Sequence, residues 1–237
     1  MSGKAWIAVA VLAVALAGCE VPRHAPPVTL RVGVFQTQDL LPYVVIQEQG
    51  FDKENGLRFE ETSYSGGAAA IDAMVAGTID MCPGVGIAPL FAAVERGLIP
   101  DKAVAVAVNN FADPEHPGVS GPPFERTVFT SIVFSAEFRR RNPDGVKAFL
   151  RAHLAAARWI NDHPDEVRLV LARRLNLSAE VVKKVKFLHV PLDARTDPAL
   201  LDHTQQVLLR AGILQRPVDT RRLHDDTLLA EVLKETR

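Results

Sequence analysis

Between Val28 and Val108 the apolar rhythm of the chain switches repeatedly between a two-residue and a three-to-four-residue period, and no other feature restricts the fold as much. VTLRVGVF, from Val28 to Phe35, alternates and is β-branched, so it predicts a strand. The polar stretch Gln36-Thr37-Gln38-Asp39 follows, and Pro42 opens a helix that runs to Gln49. Gly50 and Gly56 bracket a helical stub, and Leu57 to Tyr64 reads as a second strand. Ser65-Gly66-Gly67 leads into a helix with Ile71, Met74 and Val75 on its apolar face and Gly77 at its end. A third strand, Ile79 to Cys82, enters the turn Pro83-Gly84-Val85-Gly86, a helix covers Pro89 to Glu95, and Val104 to Val108 is a fourth strand. Strands alternating with short helices imply right-handed βαβ units and a parallel sheet.

The second half contains one strand, Val128 to Ser135, and then helices to the C-terminus. Val146, Phe149, Leu150, His153, Leu154, Ala157 and Ile160 recur at helical steps, so a long helix from Pro143 presents a continuous core face. His153 lies on that face and is expected to be a buried, hydrogen-bonded core residue. Further helices are expected at Asp165 to Leu175, Ser178 to Lys186, Pro198 to Ala211 and Leu223 to Lys234.

Ahead of all this, Lys4 precedes an apolar run from Ala5 to Ala17, shorter than the ~20 residues that span a bilayer. It has the form of a signal-peptide core. Leu16-Ala17-Gly18-Cys19 resembles the lipobox of bacterial lipoproteins, which implies cleavage after residue 18 and acylation of Cys19. Residues 1–18 are then a signal, and residues 19–28, with Pro22, Pro26 and Pro27, a lipidated cysteine and extended tether. The expected location is the bacterial cell envelope, anchored in lipid on the extracytoplasmic side. A formal net charge of −1 supplies no basic field for nucleic acid. Cys82 is the one other cysteine and is expected to be a small buried hydrophobe. The seven histidines show no helical pairing that would bind a metal, and no cofactor is called for.

Four phrases taken together resemble the periplasmic solute-binding proteins of ABC importers, in the nitrate, sulfonate, taurine and thiamine-pyrimidine group. They are LRVGVFQTQDLLPYVVIQEQGFDKENGLRFEE (Leu30 to Glu61), SGGAAAIDAMVAGTIDM (Ser65 to Met81), the strand and long helix from Phe129 to Asn161, and LLRAGIL (Leu208 to Leu214), with Arg216-Pro217-Val218 after it. The resemblance implies an α/β fold of the type II periplasmic-binding-protein kind, with a mostly parallel sheet, one antiparallel return strand and a helical C-terminal half. It also implies an ABC permease in the inner membrane as partner, and a small polar or anionic solute as ligand. A full member has two lobes. Here the chain passes from His116-Pro117-Gly118-Val119 through Ser120-Gly121-Pro122-Pro123 straight to the return strand. That connection is far shorter than the ~100 residues of a usual small domain. Residues 29–237 therefore read as one lobe, with the second deleted near 119–122.

In open α/β sheets ligands sit beyond the carboxyl ends of the strands, against helix N-termini. That places candidate ligand-binding residues at Gln36 and Thr37, at Ser65, Gly66, Gly67 and Ala68, and at Gly84, Val85 and Gly86. The glycines would let the backbone approach the solute and the Ser65 hydroxyl would donate to it. Asn109 and Asn110, ending the fourth strand, would face the same cleft. The alternative to a solute receptor is a single-lobe interaction module that docks on an envelope partner without solute. An enzyme is not expected: Cys82 stands alone, and no GxSxG, HExxH or Walker pattern occurs.

Overall fold

The computed structural model describes residues 26–111, 126–184 and 189–235. The signal, Cys19 and the 119–122 connection lie outside the described residues. In chain order the elements are β1 (Val28–Val34), a 3-10 turn (Gln38–Leu40), α1 (Leu41–Gln49), α2 (Phe51–Glu54), β2 (Leu57–Ser63), α3 (Gly67–Val75), β3 (Met81–Gly86), α4 (Ile87–Glu95) and β4 (Ala103–Phe111). Then follow β5 (Val128–Ser135), α5 (Ala136–Arg141), α6 (Pro143–Asp162), α7 (Pro164–Leu175), α8 (Ala179–Lys184), α9 (Pro198–Arg210) and α10 (Thr227–Glu235).

The described strands form one five-stranded sheet in the order β2-β1-β3-β5-β4. β1 pairs in parallel with β2, Val28 opposite Leu57 through Val34 opposite Ser63, and also in parallel with β3. β5 runs antiparallel to both β3 and β4, so four strands point one way and the return strand the other, as the family resemblance implies. Helices cover both faces. One core joins Leu30, Val32 and Phe134 to α1, α6, α7 and α10, and the other joins Cys82, Val85 and Val108 to α3, α4 and α9. This double cover is why β4 reads as a continuous apolar run from Ala103 to Val108.

Two boundaries and one helix face differ from expectation, each for a local reason. β3 runs Met81–Gly86 rather than Ile79 to Cys82, because a bulge absorbs Pro83 and Gly84. Cys82 faces Val133 and Val85 faces Ser131, so the two residues between on β3 oppose one on β5. A proline that donates no amide hydrogen thereby stays inside a sheet. α4 starts at Ile87, with Pro89 in its first turn, where a missing amide hydrogen costs nothing. Val75 is 39% exposed while Ile71 and Met74 are buried, so the apolar stripe of α3 is narrower than its sequence suggests.

His153 is buried as expected, at 1% exposure, but its Nε2 has no hydrogen-bond partner. Burial alone lowers its pKa to about 4, so the ring is neutral.

Candidate functional site

The site is built where β1, β2 and β3 deliver the chain to their following helices. Thr37, in extended backbone, caps the 3-10 turn by accepting the Asp39 amide hydrogen. Its hydroxyl in turn donates to Asp39 Oδ2 at 2.9 Å. Asp39 is 9% exposed and its Oδ1 has no partner. Burial raises its carboxyl above the ordinary range, against the opposing hydrogen bonds of Thr37 and Asn110.

Below this turn lies a buried polar network. Asn109 Nδ2 donates to the Asp39 carbonyl at 2.7 Å and to Thr130 Oγ1 at 3.0 Å, and Thr130 Oγ1 donates to Asn110 Oδ1 at 2.8 Å. Asn109 and Asn110 are 1% and 2% exposed, so they fasten β4 and β5 to the turn rather than standing open in a cleft. The bulged β3 comes close to the same point: a Cβ on Gly84 would lie 3.2 Å from the Asp39 carbonyl oxygen and 3.5 Å from Asn109 Nδ2. Gly84 therefore makes room for protein, and the Val85 side chain is fully buried in the core. Neither offers a side chain or an open approach to solute.

α3 and α4 begin at Gly66 and Gly86 without side-chain caps, leaving amide hydrogens of their first turns free of a capping group. A Cβ on Gly67 would lie 3.5 Å from Gly86 N, so the two helix starts meet. Both carry the partial positive charge of helix N-termini, which favours an anion or a solute acceptor group. Ser65 and Ala68 are exposed at this junction, and Gly66 is half-buried.

Two cavities flank the Asp39 turn. One, about 330 Å³, is lined by Gln36 and Thr37 together with Glu61, Tyr64 and Arg174. Arg174 pairs with Glu61 at 3.0 Å, and Tyr43 and Gln47 also donate to that carboxylate. Burial opposes ionisation of Glu61, but the hydrogen bonds from Arg174, Gln47 and Tyr43 outweigh it and hold its pKa below the usual carboxylate range. The other, about 220 Å³, has Asp39, Gly86 and Phe129 in its lining. Ser65, Gly66, Gly67 and Ala68 line neither of these two. Sequence reading missed Asp39 and Thr130; a lone acid in a polar loop and a threonine in a strand carry no signal of the contact that unites them.

An open, helix-covered sheet with uncapped helix starts meeting beyond its strand ends is an arrangement in which α/β proteins commonly hold ligands. The comparisons with known proteins agree: residues 23–115 match the model of the NMT1-like family. The solved structure of the periplasmic nitrate-binding protein NrtA from Synechocystis PCC 6803 aligns over 88% of this chain and 89% of that one, at TM-score 0.61 and 12% identity. The periplasmic aliphatic sulphonate binding protein SsuA from Escherichia coli aligns over 86% and 99%, at TM-score 0.56 and 14% identity. The chain thus has the periplasmic-binding-protein fold, and the resemblance read from its sequence holds. The desulfurization enzyme DszB shares that fold, over 88% and 99%, at TM-score 0.60 and 14% identity, so the fold by itself does not exclude catalysis. No curated protein matches the chain.

Among the described residues no helix is long and apolar enough to cross a membrane, and no group of three or more potential metal ligands occurs.

Proposed function

We propose that this chain is the lipid-anchored, extracytoplasmic solute-binding component of an ABC importer for a small polar or anionic solute of the nitrate, sulfonate, taurine or pyrimidine type. The observation that carries this reading is the meeting of the α3 and α4 starts at Gly67 and Gly86, on the fold of periplasmic binding proteins. Anchoring through Cys19 rests on the lipobox-like Leu16-Ala17-Gly18-Cys19.

The chain works as a receptor and not as an enzyme on this reading. Cys82 is fully buried, and burial pushes its thiol up to about 12, so no thiolate forms at neutral pH. Ser131 and His224 approach to 2.9 Å, but Ser131 has no solvent exposure through which to meet a substrate.

We also propose that 29–237 is a single lobe, in keeping with the one sheet formed by the described strands. Well-formed sites bury ~70–90% of a small ligand. One wall of a cleft covers about half, and halving the ~8 kcal/mol of a micromolar complex leaves roughly millimolar affinity. Titration calorimetry of residues 20–237 against nitrate, taurine, alkane sulfonates and pyrimidines tests the receptor reading. Saturable heat that Ser65→Ala weakens several-fold is the expected result. A folded protein that gives no heat at millimolar solute would leave the docking module as the better reading.

A further inference from the structure

A cavity of about 450 Å³ lies at the end of the sheet away from the candidate solute site. Asp80 precedes β3, Lys102 precedes β4 and Ser135 ends the antiparallel β5, so these lining residues stand where the parallel strands begin. Asn142, also in the lining, leads into α6, and a Cβ on Gly145 of that helix would lie 3.0 Å from the Val28 side chain. The cavity is therefore close to the first residue of β1, where the tether enters.

Its charges do not cancel. Arg31 is held by Asp80, with Nη2 on Oδ1 at 2.6 Å, and Arg141 pairs with Glu137 at 2.9 Å. Among the described residues Lys102 and Arg140 form no ion pair, and both are exposed. The acid of the lining left to oppose them is Asp101, so one positive charge stands in excess. The exposed Val75 adds apolar surface beside them.

A phosphodiester carries a single negative charge and neutralises that excess. A phosphate monoester carries about two and overfills it, and a zwitterionic headgroup has no net charge to match it. The planar fork of Arg140 suits two phosphate oxygens, and the Lys102 ammonium suits a third as a point charge.

We propose that this cavity receives the phosphodiester of an anionic membrane lipid, with Val75 against the glycerol end of the headgroup. This rests on the lipid-anchored reading above and adds an orientation to it. The eight tether residues from Glu20 to Pro27 reach about 25 Å when extended at ~3.1 Å each. So short a link presents the headgroups at roughly millimolar effective concentration. A weak contact then suffices to hold this end of the sheet on the membrane and turn the solute end outward.

The test is flotation with vesicles of pure phosphatidylcholine, or of equal parts phosphatidylcholine and phosphatidylglycerol. It uses the chain from Glu20 onward, which keeps every described residue and has neither the apolar signal nor Cys19. Partition into the anionic vesicles is expected to exceed that into the neutral ones by about tenfold or more, since each lysine or arginine near an anionic surface contributes about fivefold. Lys102→Glu with Arg140→Glu is expected to abolish the preference. Lys183→Glu with Lys184→Glu, the same change of charge on the exposed side of α8, is expected to cost about twofold or less. Should the first pair fail to fold by circular dichroism, Lys102→Gln with Arg140→Gln decides, with a loss of about tenfold expected. No preference for the anionic vesicles, or equal losses in the two pairs, overturns the proposal. Release of the chain by millimolar inorganic phosphate at constant ionic strength also overturns it, and assigns the cavity to free phosphate. No arm depends on Cys19, so failure here leaves the anchored receptor reading standing; failure of that reading shows instead in membrane fractionation of Cys19→Ser.

Discussion

His153 shows what a buried polar residue does to a domain when nothing pairs with it. Its ring sits within the core face of α6, its Nε2 is unpartnered, and desolvation lowers its pKa to about 4. His224, between the 3-10 turn at Thr220–Arg222 and α10, is lowered to about 4 by the same cause. In the unfolded chain both titrate near 6.5, so as pH falls from about 6.5 toward 4 the unfolded state takes up protons that the folded state refuses. Stability is therefore fully present above pH ~6.5 and declines through that window, by at most about 3.4 kcal/mol per histidine. Urea melts at pH 7 and pH 5 are expected to show the loss, and His153→Leu is expected to remove close to half of it; an unchanged pH dependence in that variant would sink the account. The position of His153 was legible from its spacing among apolar residues, but its lack of a partner was not, because hydrogen bonding depends on neighbours that spacing does not reveal. Asp39 was opaque for a related reason. Its partners Asn109 and Asn110 lie some seventy positions away, and only the sheet order brings them together.

Among the elements, α6 was the most legible. All of its sequence-marked positions from Val146 to Ala157 are buried and Ile160 is partly so, since twenty residues of steady period outweigh any local exception. β3 was the least legible, because Pro and Gly inside a strand look like a turn until the partner strand is known. Its bulge matters to the site. It brings Gly84 up against the Asp39 carbonyl, whose other neighbour is the Asn109 amide, and both are parts of fixed backbone or buried network. A methyl group at Gly84 has no flexible side-chain tip to displace and must push the 3-10 turn outward. Gly84→Ala is expected to destabilise the fold by about 1–2 kcal/mol, as overpacked sites do, and to weaken solute binding as well by moving the turn that carries Gln36 and Thr37. Equilibrium urea unfolding together with calorimetry checks both effects. Gly145→Ala is the control: it is equally crowded, with the Val28 side chain at 3.0 Å, but Val28 begins β1 at the end away from the site, so any yielding there leaves the Asp39 turn in place. Equal losses of binding in the two variants would show that the bulge has no special hold on the turn.

At the scale of the whole molecule, the direction of β1 bears on the lipid anchor and the solute site proposed above. β1 enters the sheet at Val28 and ends at Val34, and the site gathers beyond that carboxyl end. Seven residues at ~3.3 Å each put about 20 Å of strand between the start of β1 and the candidate site. From Glu20 to Pro27 the tether has eight residues, three of them proline, and at ~3.1 Å each in extended form it reaches about 25 Å. An acylated Cys19 would thus pull on the end of the sheet opposite the Asp39 turn, leaving the solute end free to face a partner. Anchoring and recognition are then separable. Cys19→Ser is expected to move the chain from the membrane fraction to the soluble fraction, without altering solute affinity by more than about twofold, because β1 begins at the end of the sheet away from the site. Fractionation of cells and calorimetry on the released protein check the two halves of that expectation. A variant that stays with the membrane would refute acylation at Cys19, and one that leaves it but binds differently would mean that the tether or its lipid reaches round to the cleft.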